Sequence, residues 1–109
     1  MDRLRPGGLA WNVVLAVHRL RGEGYGVTIR EDIAARTGRE VSYGAIYTTL
    51  SRLEQDGVLR SREGEKTPER GGRAKRFFEL TGLGVKHLEA AFREVEQMRS
   101  SIGVVGGAI

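Results

Sequence analysis

The chain of 109 residues has no cysteine and only two histidines, and these shortages exclude several kinds of chemistry. Without cysteine there are no disulfides and no thiolate metal sites, and a cysteine-free chain fits a cytoplasmic protein without requiring it. His18 and His87 both lie on helical patterns, and no histidine–acid pattern accompanies Ser42 or Ser51. The sequence therefore argues against an enzyme, and it predicts no catalytic residue, metal site or cofactor.

Long apolar runs and phosphate-binding glycine loops are also missing. No run approaches the roughly eighteen apolar residues of a membrane span, and the first residues, 1–6, lack the apolar stretch of a signal peptide. The glycines of residues 22–26 have neither the lysine nor the preceding strand of a phosphate loop. We expect no membrane partner, a cytoplasmic location, and one domain small enough for dimerisation to add stability.

Positive charge is concentrated in one segment of the chain. The net charge is +4, and the segment 60–76 alone carries an excess of this size. Such a local excess is typical of a surface that binds a polyanion. Its seven basic residues are Arg60, Arg62, Lys66, Arg70, Arg73, Lys75 and Arg76, and its three acidic residues are Glu63, Glu65 and Glu69.

Caps and glycines predict three helices in the first half of the chain. The first is predicted at about 9–21 and the second at about 29–36, where Thr28 and Glu31 have the spacing of a capping box. Gly38 is expected to end the second helix. The third is predicted to run from an N-cap at Ser42 to Gly57, after a connection of turn length.

The second half of the chain has strand character followed by one more helix. Segments 58–62 and 73–80 predict two strands joined by a polar connection. A last helix is predicted over 82–101. We accordingly divide the chain into a DNA-binding domain over 1–81, a C-terminal dimerisation helix over 82–102 and a flexible tail over 103–109.

The third helix is predicted to have one buried and one open face. Ile46, Leu50 and Leu53 recur at i, i+4 and i+7 and form the buried stripe. Small and hydroxyl side chains dominate the opposite face, which permits close approach to a DNA groove and donors for phosphates and base edges. For this helix alone, an ordinary solvent-exposed surface explains the pattern equally well. The adjacent basic hairpin is what favours DNA.

The second strand also separates into two faces. Phe78 and Leu80 are expected to pack on the core, while Arg73 and Lys75 project from the other face toward a phosphate backbone. The alternative is that these charges protect an edge strand from aggregation, which explains one or two charges more readily than a cluster. A helix followed by a basic hairpin predicts an α+β, mostly helical fold: a winged helix-turn-helix with a two-stranded wing.

Several segments resemble the PadR family of transcriptional regulators. Residues 44–59, GAIYTTLSRLEQDGVL, resemble its recognition helix, and residues 73–81, RAKRFFELT, resemble its second wing strand. Tyr25-Gly26 is similar to the turn before the family's second helix. The resemblance extends from Leu9 to about Ile102. Thr48 stands where the family often has proline, and the single C-terminal helix resembles the short subfamily without an extended dimerisation domain.

The resemblance implies a repressor that forms a two-fold dimer. This dimer is expected to bind double-stranded operator DNA with an inverted repeat and to contact its two half-sites. Tyr47 and the wing cations are expected at phosphates, and Gly44, Ala45 and Thr48 nearest the base edges. The predicted DNA-binding residues are Ser42, Tyr43, Gly44, Ala45, Tyr47, Thr48, Ser51, Arg52, Arg73, Lys75 and Arg76.

The first and last helices carry more apolar surface than a small winged helix can cover. The last helix has the 3,4 spacing of a coiled-coil seam, and the first is apolar on two faces. A homodimer is therefore expected, with packing of the two helices on each other as the alternative. The predicted dimer or effector interface comprises Trp11, Leu15, His18, Leu88, Phe92, Val95 and Met98.

Two further functional questions stay open from the sequence. PadR proteins respond to phenolic or hydrophobic compounds, so a small hydrophobic effector beside Trp11 is one hypothesis, although a lone tryptophan in an apolar helix is more often packing. Besides the sequence-specific repressor, the alternatives are a winged-helix adaptor that binds a protein and a non-specific nucleic-acid-binding protein. The residues Thr48, Ser51 and Gln55 argue against the adaptor, which would expose an apolar patch.

Overall fold

Four helices and one hairpin make up the fold of the computed structural model, which describes residues 4–66 and 74–103. The predicted α+β, mostly helical winged helix-turn-helix is confirmed. No helix in this described part of the chain is both long and apolar enough to cross a bilayer. In chain order the elements are α1 (Leu9–Arg19), α2 (Gly26–Thr37), α3 (Tyr43–Gln55), β1 (Leu59–Lys66), β2 (Ala74–Leu80) and α4 (Gly82–Ser101).

The core lies where α1, α2 and α3 meet the base of the hairpin. The apolar stripe predicted for α3 is confirmed, since Ile46, Leu50 and Leu53 are all buried. Leu4 is also fully buried and fastens the segment before α1 to the core. Burying these side chains supplies the main favourable term in folding. The other buried apolar residues are Val13, Val14, Ala16, Val17, Ile29, Ile33, Val58, Leu59, Phe78, Leu88 and Ala91.

The second helix begins three residues earlier than predicted. Tyr25 is its N-cap, and the Tyr25 backbone N–H donates to Thr28 Oγ1 at 3.0 Å. Thr28 is therefore the third residue of the helix, and the predicted capping box between Thr28 and Glu31 is wrong. The reason is tertiary, since the preceding Gly24 already pairs with β2 and leaves Tyr25 extended at the helix entrance.

The other helix ends in this half follow local signals. The first helix stops at Arg19, two residues short of the prediction, and the ion pair between the Arg19 guanidinium and Asp32 joins α1 to α2. Gly38 ends α2 with a positive φ of 73°, as predicted. Ser42 Oγ accepts from the Ala45 N–H at 3.1 Å, which confirms it as the N-cap of α3.

The wing is an antiparallel hairpin that extends further along β1 than predicted. Its register pairs Leu59 with Leu80 and Glu63 with Arg76, and a bulge follows Glu63. The Phe78 N–H donates to the Gly24 carbonyl at 2.9 Å, so the chain before α2 adds a short bridge to the other edge of β2. The β2 edge of the wing is thereby joined to the body of the domain.

The last helix has the predicted bounds, and Thr81 joins its start to the end of α3. Thr81 Oγ1 accepts from the Gly84 N–H at 3.0 Å and donates to the Gly57 carbonyl at 2.5 Å. The first half of α4 packs on the core through Leu88 and Ala91. The tail predicted beyond Gly103 lies outside the described residues.

Candidate nucleic-acid interface

The open face of α3 is the centre of the candidate interface. With its apolar stripe seated on the core, the helix leaves Gly44, Thr48, Ser51 and Arg52 exposed. Two large aromatics stand among them, since Tyr43 is 42% and Tyr47 is 52% exposed. Exposed tyrosines combine an apolar ring with a hydroxyl donor, which suits a surface that meets another polar molecule.

Tyr43 is held in place by a residue that the sequence did not single out. The Arg30 guanidinium carbon lies 4.5 Å from the centroid of the Tyr43 ring, and Arg30 Nε donates to the Val41 carbonyl at 2.6 Å. Tyr43 in turn stacks on Tyr47, with 6.4 Å between ring centroids and an angle of 27° between the rings. Arg30 thus links α2, the turn and the first residue of α3.

Tyr47 lies directly on the backbone at the start of α2. A Cβ atom added to Gly26 would lie 2.5 Å from Tyr47 Oη and 2.6 Å from its ring carbons. Gly26 is buried in this contact. Glycine at position 26 therefore permits this placement of the Tyr47 ring, which lies closer than a Cβ atom would allow.

The neighbouring residue, Tyr25, contacts the wing. The Lys75 ammonium lies 4.6 Å from the centroid of the Tyr25 ring, and the Phe77 ring meets Tyr25 edge-on at 5.6 Å. From the neighbouring strand, the Arg62 guanidinium lies 4.8 Å from the Phe77 ring centroid. The two rings are therefore in contact with each other, and each carries one cation, Lys75 on Tyr25 and Arg62 on Phe77.

A hydrogen-bonded chain joins the wing to the C-terminal end of α3. Arg76 Nη1 donates to Ser61 Oγ at 2.9 Å, and Ser61 Oγ donates to Glu54 Oε2 at 2.6 Å. The Glu54 carboxylate thus accepts a hydrogen bond from a hydroxyl of the wing. Arg76 is committed to this contact and to Glu63, whose carboxylate lies 3.6 Å away.

The described wing arginines all lie near carboxylates. Arg60 Nε lies 2.6 Å from Glu79 Oε1, and Arg62 Nη2 lies 3.5 Å from Glu23 Oε1. All these groups are largely exposed, so each pair is weak and can exchange partners. At short range, the wing surface that was predicted to be basic therefore presents both positive and negative charges.

Most of the predicted DNA-binding residues in the described part of the chain are exposed on α3 or on the wing. Tyr43, Tyr47 and their exposed neighbours lie on α3, and Lys75 and Arg76 are exposed on β2. Ala45 is half-buried, Ser42 Oγ is engaged as a cap, and Arg73 lies outside the described residues. Arg30 was missed, Tyr25 was noted only as part of a turn, and Arg62 only as part of the basic segment. No local spacing in the sequence connects them to their partners.

A second surface lies on the distal half of α4. Phe92, Val95, Met98 and Ile102 are all exposed and recur every three or four residues, so they form one stripe. Trp11 borders it through an edge-on contact with Phe92 at 5.0 Å.

The remaining residues of the predicted interface differ in exposure. Leu15 is half-buried and His18 is exposed. Leu88 is only 7% exposed because it packs in the core of its own chain, so it offers little surface to a partner.

Comparison with known proteins identifies the family. Residues 14–90 match the Transcriptional regulator PadR-like family. The chain is 33% identical to Transcriptional regulator Rv3488 of Mycobacterium tuberculosis over 90 residues, which cover 83% of this chain and 78% of the relative.

Solved structures agree in fold. A PadR-like transcription factor from Bacteroides fragilis has a TM-score of 0.67 at 25% identity, covering 86% of this chain and 88% of that one. Bacillus subtilis PadR in complex with operator DNA has a TM-score of 0.62 at 20% identity, covering 77% of this chain and 46% of that one. From its sequence match and this shared fold, the chain belongs to the PadR-like family of transcriptional regulators, which are not enzymes.

Proposed function

We propose that this protein is a dimeric, sequence-specific repressor that binds an inverted repeat in double-stranded DNA. The observation that carries the proposal is the open face of α3, where Tyr43 and Tyr47 are exposed yet fixed by Arg30 and Gly26. Side chains fixed before binding lose less conformational entropy when they contact a ligand. Membership of the PadR-like family supports this, as does the similar fold of a PadR solved with operator DNA.

The proposed division of labour follows from position on α3 and the wing. Gly44 and Thr48 are small and exposed, so they let the helix approach the base edges in the major groove, with Ala45 at their margin. Tyr47 and Lys75 supply a hydroxyl and an ammonium to the phosphates, which position the helix without reading sequence. Ser51 and Arg52 extend this polar surface toward the next turn of α3.

The proposed dimer uses the exposed stripe on α4. A stripe of Phe92, Val95, Met98 and Ile102 with coiled-coil spacing loses its unfavourable contact with water when a second copy covers it. A two-fold axis through this stripe would present two α3 helices and two wings to DNA. We further propose that a small hydrophobic effector, if one acts, binds beside the Trp11–Phe92 pair at the edge of the same interface.

Selection from random duplex DNA tests the proposed function. The expected product is an inverted repeat with half-site centres about one helical turn, roughly 10 base pairs, apart. Thr48→Ala should redistribute preference among base pairs by about 1–3 kcal/mol per affected position. Ser100→Ala, on the exposed end of α4, is the matched control and should leave the selected sequence unchanged.

Other results of the same selection would contradict the proposal. Binding that falls with salt but enriches no sequence would identify a non-specific nucleic-acid-binding protein. The adaptor alternative is favoured by one observation, the stacked and exposed pair Tyr43–Tyr47. The adaptor alternative requires that the protein retains no duplex DNA at low salt. A protein partner would then bind at this tyrosine pair.

A further inference from the structure

Three consecutive residues at the entrance of α2 contact the two parts of the proposed interface, the wing and α3. The Gly24 carbonyl accepts from the Phe78 N–H of β2 at 2.9 Å. The Tyr25 ring lies beneath the Lys75 ammonium of the wing. The Gly26 backbone lies beneath the Tyr47 ring of α3. We call residues 24–26 the junction, because wing and recognition helix both rest on it.

The contacts of Tyr25 fix a side chain that is otherwise mobile. Lys75 is exposed, and a long lysine side chain loses rotamer entropy when it is immobilised. The Tyr25 ring presents its face to the ammonium at 4.6 Å while its position is set by the Phe77 ring at 5.6 Å. Arg62, 4.8 Å from Phe77, fastens this ring from the opposite strand and also donates to the Gly22 carbonyl at 3.1 Å.

The packing around Phe77 leaves this stack little freedom. A Cβ atom added to Gly64 would lie 3.1 Å from Phe77 Cδ2 and closer still to Cε2, so the Phe77 ring fills the space over β1. The Tyr25 backbone is fixed as well, since its N–H donates to Thr28 Oγ1 within the first turn of α2. Tyr25 is thus held at both ends, and Lys75 is the group that it orients.

We propose that Tyr25 is a positioning residue that sets the placement of Lys75 relative to Tyr47, so that wing and α3 engage the DNA backbone together. The inference rests on the proposed function and deepens it. Tyr25 contacts Lys75, and Gly26 contacts Tyr47. These two residues are adjacent in one segment, where the extended chain enters α2. The spacing between the lysine and tyrosine contacts is therefore built into residues 25 and 26 rather than left to the hairpin.

The salt dependence of operator binding tests this role, because Tyr25 carries no charge to remove. Each phosphate contact contributes about 0.9 to the slope of log K against log salt concentration. Lys75→Ala should therefore lower the slope by about 0.9 per copy. Tyr25→Leu should lower it by a similar amount although the net charge is unchanged, and Tyr25→Phe, which keeps the ring, should retain the wild-type slope.

The double variant Tyr25→Leu with Lys75→Ala completes a double-mutant cycle with the two single variants. It should show the slope of either single variant, because both remove the same contact. Folding of each variant is checked by circular dichroism and thermal unfolding. Tyr25→Met, which also lacks the ring but keeps a long apolar side chain, replaces Tyr25→Leu if that variant does not fold.

The possible failures are distinguishable. A folded ring-less variant with the wild-type salt slope, or equal losses from Lys75→Ala in both backgrounds, would overturn the positioning role while leaving operator binding intact. Failure of the wild-type protein to retain any duplex DNA would overturn the proposed function, and the positioning role with it.

Discussion

Alanine at Gly84 is expected to destabilise the fold more than alanine at Gly26, although both glycines are buried in the first turn of a helix. A Cβ atom at Gly84 would lie 2.7 Å from Leu80 Cδ2 and 3.2 Å from the Val58 carbonyl carbon, and closer still to the Val58 oxygen. The Val58 backbone cannot rotate away, so α4 must move. Overpacking of this kind costs about 1–3 kcal/mol, whereas alanine gains at most about 1 kcal/mol in helix propensity.

The same replacement at Gly26 meets a side chain instead of backbone. The nearest atoms are the hydroxyl and ring carbons of Tyr47, 2.5 to 2.6 Å from the added Cβ, and the Tyr47 ring is half exposed. The ring can swing into solvent, so the free energy of unfolding should change by less than about 1 kcal/mol. Operator affinity should nevertheless fall, because Tyr47 loses the position that Gly26 permits.

Urea unfolding followed by circular dichroism measures the stability of both variants at one fixed protomer concentration, since the proposed dimerisation would make stability concentration-dependent. Gly82→Ala is the matched control: it lies in the same turn as Gly84, and an added Cβ there meets nothing within 4 Å. We expect it to equal or slightly exceed wild-type stability. The reasoning is refuted if Gly84→Ala is as stable as Gly82→Ala, or if Gly26→Ala loses stability without losing operator affinity.

Two further predictions concern the distal half of α4. Val95→Glu together with Met98→Glu should convert the proposed dimer to monomers in sedimentation experiments and weaken operator binding. Gln97→Glu, on the opposite side of the helix, should have no effect on either. A wild-type monomer would contradict the proposed dimer, and an unchanged dimer in the double variant would rule out the stripe as the interface. If an effector binds beside the Trp11–Phe92 pair, planar aromatic compounds should quench the fluorescence of the single tryptophan and loosen the operator complex; a chemically broad set without quenching would argue against such a site.

Elements with strong local signals could be predicted from the sequence. The buried stripe of α3, its Ser42 cap and the bounds of α4 were all predicted, because periodicity and side-chain capping depend on neighbours within one or two turns. The glycine ends at Gly38 and Gly57 were predicted for the same reason, and both have positive φ. These signals placed α3 and the hairpin correctly, which was sufficient to recognise the fold.

The details that position the interface could not be predicted, because they join residues far apart in the chain. Tyr25 and Lys75 are separated by fifty positions, and their contact exists only after the wing has folded against the start of α2. Thr28 and Glu31 have the spacing of a capping box, yet Tyr25 is the N-cap because the bridge between Gly24 and Phe78 fixes where the helix starts. Tertiary contacts here override a valid local pattern.

A count of basic residues in the sequence overstates how many wing cations are free to contact DNA at short range. The summed charge still sets the long-range field that draws a polyanion toward the hairpin. At short range, however, Arg60, Arg62 and Arg76 each lie within 4 Å of a carboxylate. A phosphate can displace such a carboxylate at small cost, since exposed pairs contribute about 0–1 kcal/mol.

The displaced carboxylate nevertheless remains beside the DNA and repels it, which offsets part of the gain from each arginine. Lys75 differs, because a neutral ring holds one face of its ammonium, and it forms no ion pair with any residue that the structure describes. The salt slope per copy should therefore be well below the value of about 6 expected if all seven basic residues of 60–76 contacted phosphates at about 0.9 each. Lys75 should account for more of that slope than any one of the three arginines.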